Sequence, residues 1–89
     1  MTTTKPRVYH RRNAPSDAVY IGRPSRWGNP YHIGRDGDRA TVISRFRAYL
    51  DTHPELVTAA RLELRGRDLA CYCAPLPCHG DIWIEVANG

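Results

Sequence analysis

Leu69-Ala70-Cys71-Tyr72-Cys73-Ala74-Pro75-Leu76-Pro77-Cys78-His79-Gly80-Asp81-Ile82-Trp83 holds all three cysteines of the 89-residue chain and one of its four histidines. Its start, Leu69 to Tyr72, is apolar and β-favouring and predicts a short strand. Side chains alternate faces along a strand, so Cys71 and Cys73 are expected on one side. The prolines at 75 and 77 cannot donate to a ladder, and the chain must turn back there. Beyond the turn, Ile82, Trp83 and Val86 recur at helical spacing. That spacing makes Cys78, His79 and Asp81 candidates for a helix N-terminus. The stretch reads as strand, turn and helix, with the thiols gathered where the strand ends and the helix begins.

Upstream, Gly66 ends a second helix with an inner stripe of Leu56, Val57, Ala60 and Leu64. Its start falls at Thr52 or His53, because Pro54 suits the first helical position. Before it, Val42, Ile43, Phe46, Tyr49 and Leu50 follow i, i+1, i+4, i+7, i+8. That pattern predicts an amphipathic helix from Arg39 to near Asp51, capped by Asp38. Its arginines, with Arg61 of the next helix, fall mostly on outer faces: Arg39, Arg45 and Arg47 are expected in solvent. Gly34 to Gly37 is turn chemistry. Ala18 to Ile21 is β-branched and aromatic and predicts a strand stopped by Gly22. Arg7 to His10 predicts a first strand, with a turn over Arg11 to Asp17. Residues 1–6 are polar and aperiodic and are expected to form a disordered tail, leaving 7–89 as a single domain. The order β, β, α, α, β, α is met by an α/β or α+β fold, a small three-stranded sheet covered by about three helices.

A chain of this size buries only about 60 to 65% of its unfolded surface, so a metal or partner would add useful stability. With 42% hydrophobic and 25% charged residues the composition is that of an ordinary globular domain. No apolar run approaches the roughly 20 residues of a membrane span. The polar N-terminus lacks the apolar centre of a secretory signal, which points to a reducing cytoplasm, and an odd cysteine count argues against a disulfide framework. The net charge of +4 and pI of about 9.3 favour anionic partners such as nucleotides, nucleic acid or acidic proteins, although solubility alone is served by the same charge.

Gly22-Arg23-Pro24-Ser25-Arg26-Trp27-Gly28-Asn29-Pro30-Tyr31-His32 is rich in Gly and Pro yet carries large aromatics and two arginines. Such a loop either packs over the core or is built to touch a ligand. For a ligand, Arg23 and Arg26 would clamp a phosphate or carboxylate, Trp27 would stack on a ring and Asn29 would read an amide-like edge. In the plainer alternative Trp27 plugs the core and the arginines make surface ion pairs.

The cysteine stretch supports three readings. Cys71, Cys73, Cys78 and His79 form a tetrahedral ligand set, zinc being the expected metal and an iron-sulfur cluster a lesser possibility. Adjacent Cys78 and His79 can both ligate only if the backbone bends sharply, so His10 or His32 are alternative fourth ligands. In the second reading Cys78, at a helix N-terminus, is a reactive thiolate with His79 as base and Asp81 as orienting carboxylate. The two merge if the metal has three protein ligands and an open position for water. In the third, the thiols are small buried hydrophobes, and His79 and Asp81 cap a helix.

The runs Tyr20-Ile-Gly-Arg-Pro-Ser-Arg-Trp-Gly-Asn-Pro30, Gly34-Arg-Asp-Gly-Asp-Arg39 and Leu69 to Asp81 resemble domain-of-unknown-function family 4326, small proteins of bacteria and their phages. The resemblance spans Val19 to Asn88. It implies a shared site at the two stretches singled out above and does not name a ligand.

The expected function is that of a small zinc-site domain that binds an anionic ligand, a nucleotide or nucleic acid, through Arg23, Arg26, Trp27 and Asn29. In that arrangement Asp81 orients a metal ligand or a water. Two alternatives fit the same residues: a thiol- or metal-dependent enzyme acting on a nucleotide-like substrate, and a phage or bacterial adaptor that binds a host protein around a purely structural metal.

Overall fold

A computed structural model describes residues 6–74 and 76–89. The tail expected over residues 1–6 lies, apart from Pro6, outside the described residues, as does Pro75 of the turn.

The last strand of the chain is the centre of the sheet. Three short strands, β1 (Val8–His10), β2 (Val19–Tyr20) and β3 (Leu69–Cys71), lie in the order β1-β3-β2, and both outer strands run parallel to β3. Val8 and Val19 flank Leu69 from its two sides, and Tyr9 and Tyr20 flank Ala70. All three residues of β3 are buried, the uninterrupted apolar pattern of a parallel strand covered on both faces. A 3-10 turn over Arg11–Asn13 begins the link that carries the chain from one edge of the sheet to the other.

Three helices complete the α+β arrangement. Helix α1 (Arg39–Asp51) starts at Asp38, whose carboxylate accepts from the Thr41 N–H at 2.8 Å. Helix α2 (Pro54–Glu63) begins on its proline, and the chain leaves it through Gly66 at φ +75, a left-handed conformation that glycine adopts without strain. Helix α3 (His79–Asn88) packs on β1 and β3, and α1 and α2 pack on α3. The approach of α3 to the sheet is close at Gly80, where a Cβ would stand 2.8 Å from Ile21 Cδ1 and 2.9 Å from a Val8 methyl.

The core is aromatic at its centre. Trp83 is fully buried, meets Trp27 edge-on at 5.0 Å and Phe46 at 5.3 Å, and donates its indole N–H to the Trp27 carbonyl at 2.8 Å. Phe46 in turn meets the His79 ring edge-on at 5.3 Å. Trp27 thereby draws the 22–32 loop into the core. No described helix is long and apolar enough to cross a membrane.

Candidate metal centre and its cavity

The three cysteines converge because the chain returns on itself between β3 and α3. Cys71 ends β3, Cys73 follows two residues later, and the Leu76 N–H donates to the Cys73 carbonyl at 2.9 Å to close the turn that brings back Cys78. All three sulfurs lie within 4.8 Å of one another, and those of Cys71 and Cys78 are 3.3 Å apart. Cys71 and Cys78 are buried and Cys73 is half-buried. None of the three is in a disulfide. The set is able to hold a metal ion: tetrahedral zinc with Zn–S bonds of about 2.3 Å needs sulfurs about 3.8 Å apart.

Cys78 is also the N-cap of α3. Its sulfur accepts from the Gly80 N–H at 3.3 Å, and its own N–H donates to Asp81 Oδ2 at 3.2 Å. In this reciprocal cap the Asp81 carboxylate holds the backbone of Cys78. A sulfur at this position sits where the free N–H groups and dipole of the helix favour negative charge. The hydrogen bond within the pair lowers the Cys71 pKa and raises that of Cys78, so the pair gives up its first proton more easily than an isolated thiol and holds its second more tightly.

His79 turns away from this set. Its ring is buried, and Nε2 lies 2.8 Å from the Ile21 carbonyl, which fixes the hydrogen on that nitrogen because a carbonyl can only accept. Burial lowers its pKa and keeps the ring neutral. His79 and Cys78 are neighbours at a helix start, where successive side chains point in different directions, so one reaches the thiols and the other ties α3 to the end of β2. Of the other imidazoles, His10 Nδ1 accepts from the Arg12 N–H at 3.2 Å and its ring lies edge-on to Tyr72, while His32 faces the cavity described next. Among the described residues, no histidine or carboxylate joins the three thiols as a fourth member of the set.

A cavity of about 370 Å³ opens beside the thiols, and all three cysteines line it. It lies at the carboxyl ends of the parallel strands, where sheets of this kind bind ligands. Arg23 and Asn29 reach it from the 22–32 loop, Arg39 from the first turn of α1, and the rings of Tyr20 and Tyr72 from the ends of β2 and β3. No carboxylate among the described residues lines it. Arg39 was not legible as a site residue. Its Nη1 donates to the Pro77 carbonyl at 2.9 Å and fastens α1 to the loop before Cys78.

The loop itself is divided in its uses. Arg23 Nη1 donates to the Asn29 carbonyl at 2.9 Å, which leaves other guanidinium donors free to face the cavity. Asn29 is buried with both ends of its amide engaged, Nδ2 on the Val42 carbonyl at 3.1 Å and Oδ1 on the Tyr31 N–H at 2.9 Å. It forms part of the cavity wall with its amide held by these two partners. Trp27, expected to stack on a ligand ring, is 5% exposed and belongs to the core. Arg26, expected to clamp an anion, lies over the Trp27 ring at 4.5 Å and pairs with Glu63 at 3.2 Å on the surface. Neither lines the cavity. The plainer reading of these two residues is the one observed.

The chain belongs to the family described as domain of unknown function DUF4326, which matches residues 7–89. Among curated proteins it is similar to an uncharacterized 12.4 kDa protein in the nrdA-td intergenic region of Enterobacteria phage T4, with 38% identity over 86 residues. That match covers 92% of this chain and 77% of the phage protein. No solved structure matches the chain.

Proposed function

We propose that this protein is a metal-centred ligand-binding domain, in which Cys71, Cys73 and Cys78 hold one zinc ion at the wall of the cavity and Arg23 with Arg39 receives an anionic ligand there. The observation that carries this reading is that the cysteine turn and the arginine loop, far apart in the chain, line the same 370 Å³ space. That volume falls within the roughly 300–1,000 Å³ of small-molecule sites and suits a mononucleotide or a single nucleotide of a nucleic acid. Tyr20 and Tyr72 supply the aromatic surface for a base, in the role first assigned to Trp27. Zinc is favoured over a four-iron cluster because thiols packed this closely suit a single ion, whereas in such a cluster each thiolate binds a different iron and the sulfurs stand further apart.

The test is a titration of zinc-loaded protein with adenosine monophosphate and with a short single-stranded oligonucleotide at two salt concentrations. Binding of either is expected to weaken with salt and to fall at least about tenfold in Arg39→Ala, with little change in Arg26→Ala. Absence of binding by both probes, or equal losses in the two variants, overturns the ligand assignment.

A second reading, a thiol-dependent enzyme acting on a nucleotide-like substrate, is favoured by one observation, the 3.3 Å contact between the Cys71 and Cys78 sulfurs, a hydrogen bond that lowers the Cys71 pKa. It requires turnover that survives metal chelation and disappears in Cys71→Ser.

A further inference from the structure

We infer that the protein gives its metal only three ligands, the thiolates of Cys71, Cys73 and Cys78, and that the fourth coordination position faces the cavity and is filled by the ligand itself. The inference rests on the zinc reading above and adds to it the way the ligand is held: by a direct bond to the metal, with Arg23 and Arg39 as the counter-charge.

Three observations lead there. The first is the absence of a fourth protein donor from the thiol set among the described residues. His79, nearest in sequence, has its Nε2–H on the Ile21 carbonyl and its ring edge against Phe46. Turning it toward the thiols would strand a buried carbonyl and open the aromatic core, both of which are destabilising. The second is the direction in which the set is open. All three cysteines line the cavity, so the uncovered side of the sulfur triangle looks into space large enough for a ligand.

The third is charge. A divalent metal and two guanidiniums set against three thiolates leave this cavity, which no carboxylate among the described residues lines, with one net positive charge. It is matched by an anionic ligand that carries an oxygen or ring-nitrogen donor. Three thiolates also make the metal a weaker Lewis acid than neutral imidazoles do, so the position suits capture of a ligand more than ionisation of a water. His32 and His79 are the two imidazoles among the residues that line the cavity, and both have to be removed in the test.

Zinc is spectroscopically silent, so the experiment uses the cobalt-substituted full chain, whose charge-transfer bands count thiolates and whose d–d bands report the fourth ligand. Azide serves as a small monoanion and imidazole as a neutral donor. The expected result is three thiolates, d–d bands that shift saturably with both probes, and an unchanged resting spectrum in His32→Gln and His79→Gln. Arg39→Ala should weaken azide at least tenfold and leave imidazole within about twofold. Pulsed electron paramagnetic resonance on the wild-type cobalt protein detects a coordinated histidine directly, so the conclusion does not depend on either variant folding. Cobalt bound with three thiolates but with bands indifferent to both probes, or a histidine nitrogen coordinated in the resting protein, overturns the inference and leaves the metal reading standing. Failure to load cobalt or zinc at all removes both.

Discussion

The sulfurs of Cys71 and Cys78 stand 3.3 Å apart across the join between β3 and α3, within hydrogen-bonding distance of each other. In metal-free protein the Cys78 thiol supports a Cys71 thiolate, so Cys71 should react with iodoacetamide with a pH midpoint near 6, well below the ordinary 9.0. Cys78→Ala removes the donor and should return the Cys71 midpoint towards the ordinary thiol range. The measurement is the pH dependence of alkylation followed by mass spectrometry of the modified residue. Equal midpoints with and without Cys78 would show that the pair is not coupled.

The contact between Trp27 and Trp83 makes a prediction that separates stability from binding. Trp27→Ala removes a buried indole from the centre of the core and should cost about 3–5 kcal/mol in denaturant unfolding. Trp83→Phe keeps most of the packing but leaves the Trp27 carbonyl without its donor, at a cost of about 1–3 kcal/mol. Arg26→Ala, which breaks only an exposed pair, should cost less than about 1 kcal/mol. A Trp27→Ala protein as stable as the wild type would place that ring outside the core.

Acid should weaken the metal-free fold through His79. Its folded pKa is lowered by burial below the ordinary 6.5, so the unfolded chain takes up the proton first as pH falls. The stability contribution is complete above about pH 6.5 and is lost progressively below it, at no more than about 1.4 kcal/mol per pH unit. Cys71 acts in the same direction, its depressed pKa adding stability that is lost as pH falls through about 6. The His79 share is therefore the difference between wild type and His79→Gln, whose amide can still donate to the Ile21 carbonyl. Parallel pH profiles for the two proteins would contradict a buried neutral imidazole.

Gly80 sets how closely α3 lies on the sheet. Gly80→Ala places a methyl against the stiff side chain of Val8 and against Ile21, and it should destabilise by about 1–3 kcal/mol even though alanine is the better helix former. Because Cys78 rides at the start of the same helix, the shift should also widen its distance from Cys71 and lower metal affinity. Thermal unfolding with and without zinc measures both effects, and a stabilised variant would mean that the helix has room to spare.

Much of this fold is carried by local signals. Asp38 as a cap, the apolar period from Val42 to Leu50 and Pro54 at a helix start fix α1 and α2, because each is decided within a few residues. The gathering of the three thiols was legible for the same reason, since a strand end, a proline turn and a helix start follow one another within ten residues. What the sequence could not show is set by distant partners. Trp27 finds its place from Trp83, 56 residues away, and a Gly/Pro-rich loop has no period to say which way its ring turns. Arg39 looked solvated on a helical wheel, which carries no information about the Pro77 loop that lies against the first turn. The parallel order β1-β3-β2 likewise depends on pairings between strands about 50 to 60 residues apart.

The central claim is that Cys71, Cys73 and Cys78 hold one metal ion, and it is tested most directly by elemental analysis of protein purified without added metal. The same analysis on Cys71→Ser, Cys73→Ser and His79→Gln assigns the ligands. The account predicts about one zinc per chain in the wild type and in His79→Gln, and loss of the metal together with several degrees of thermal stability in each cysteine variant. A wild-type protein that contains no metal and binds none when zinc is supplied, or a zinc content untouched by the cysteine substitutions, would contradict it.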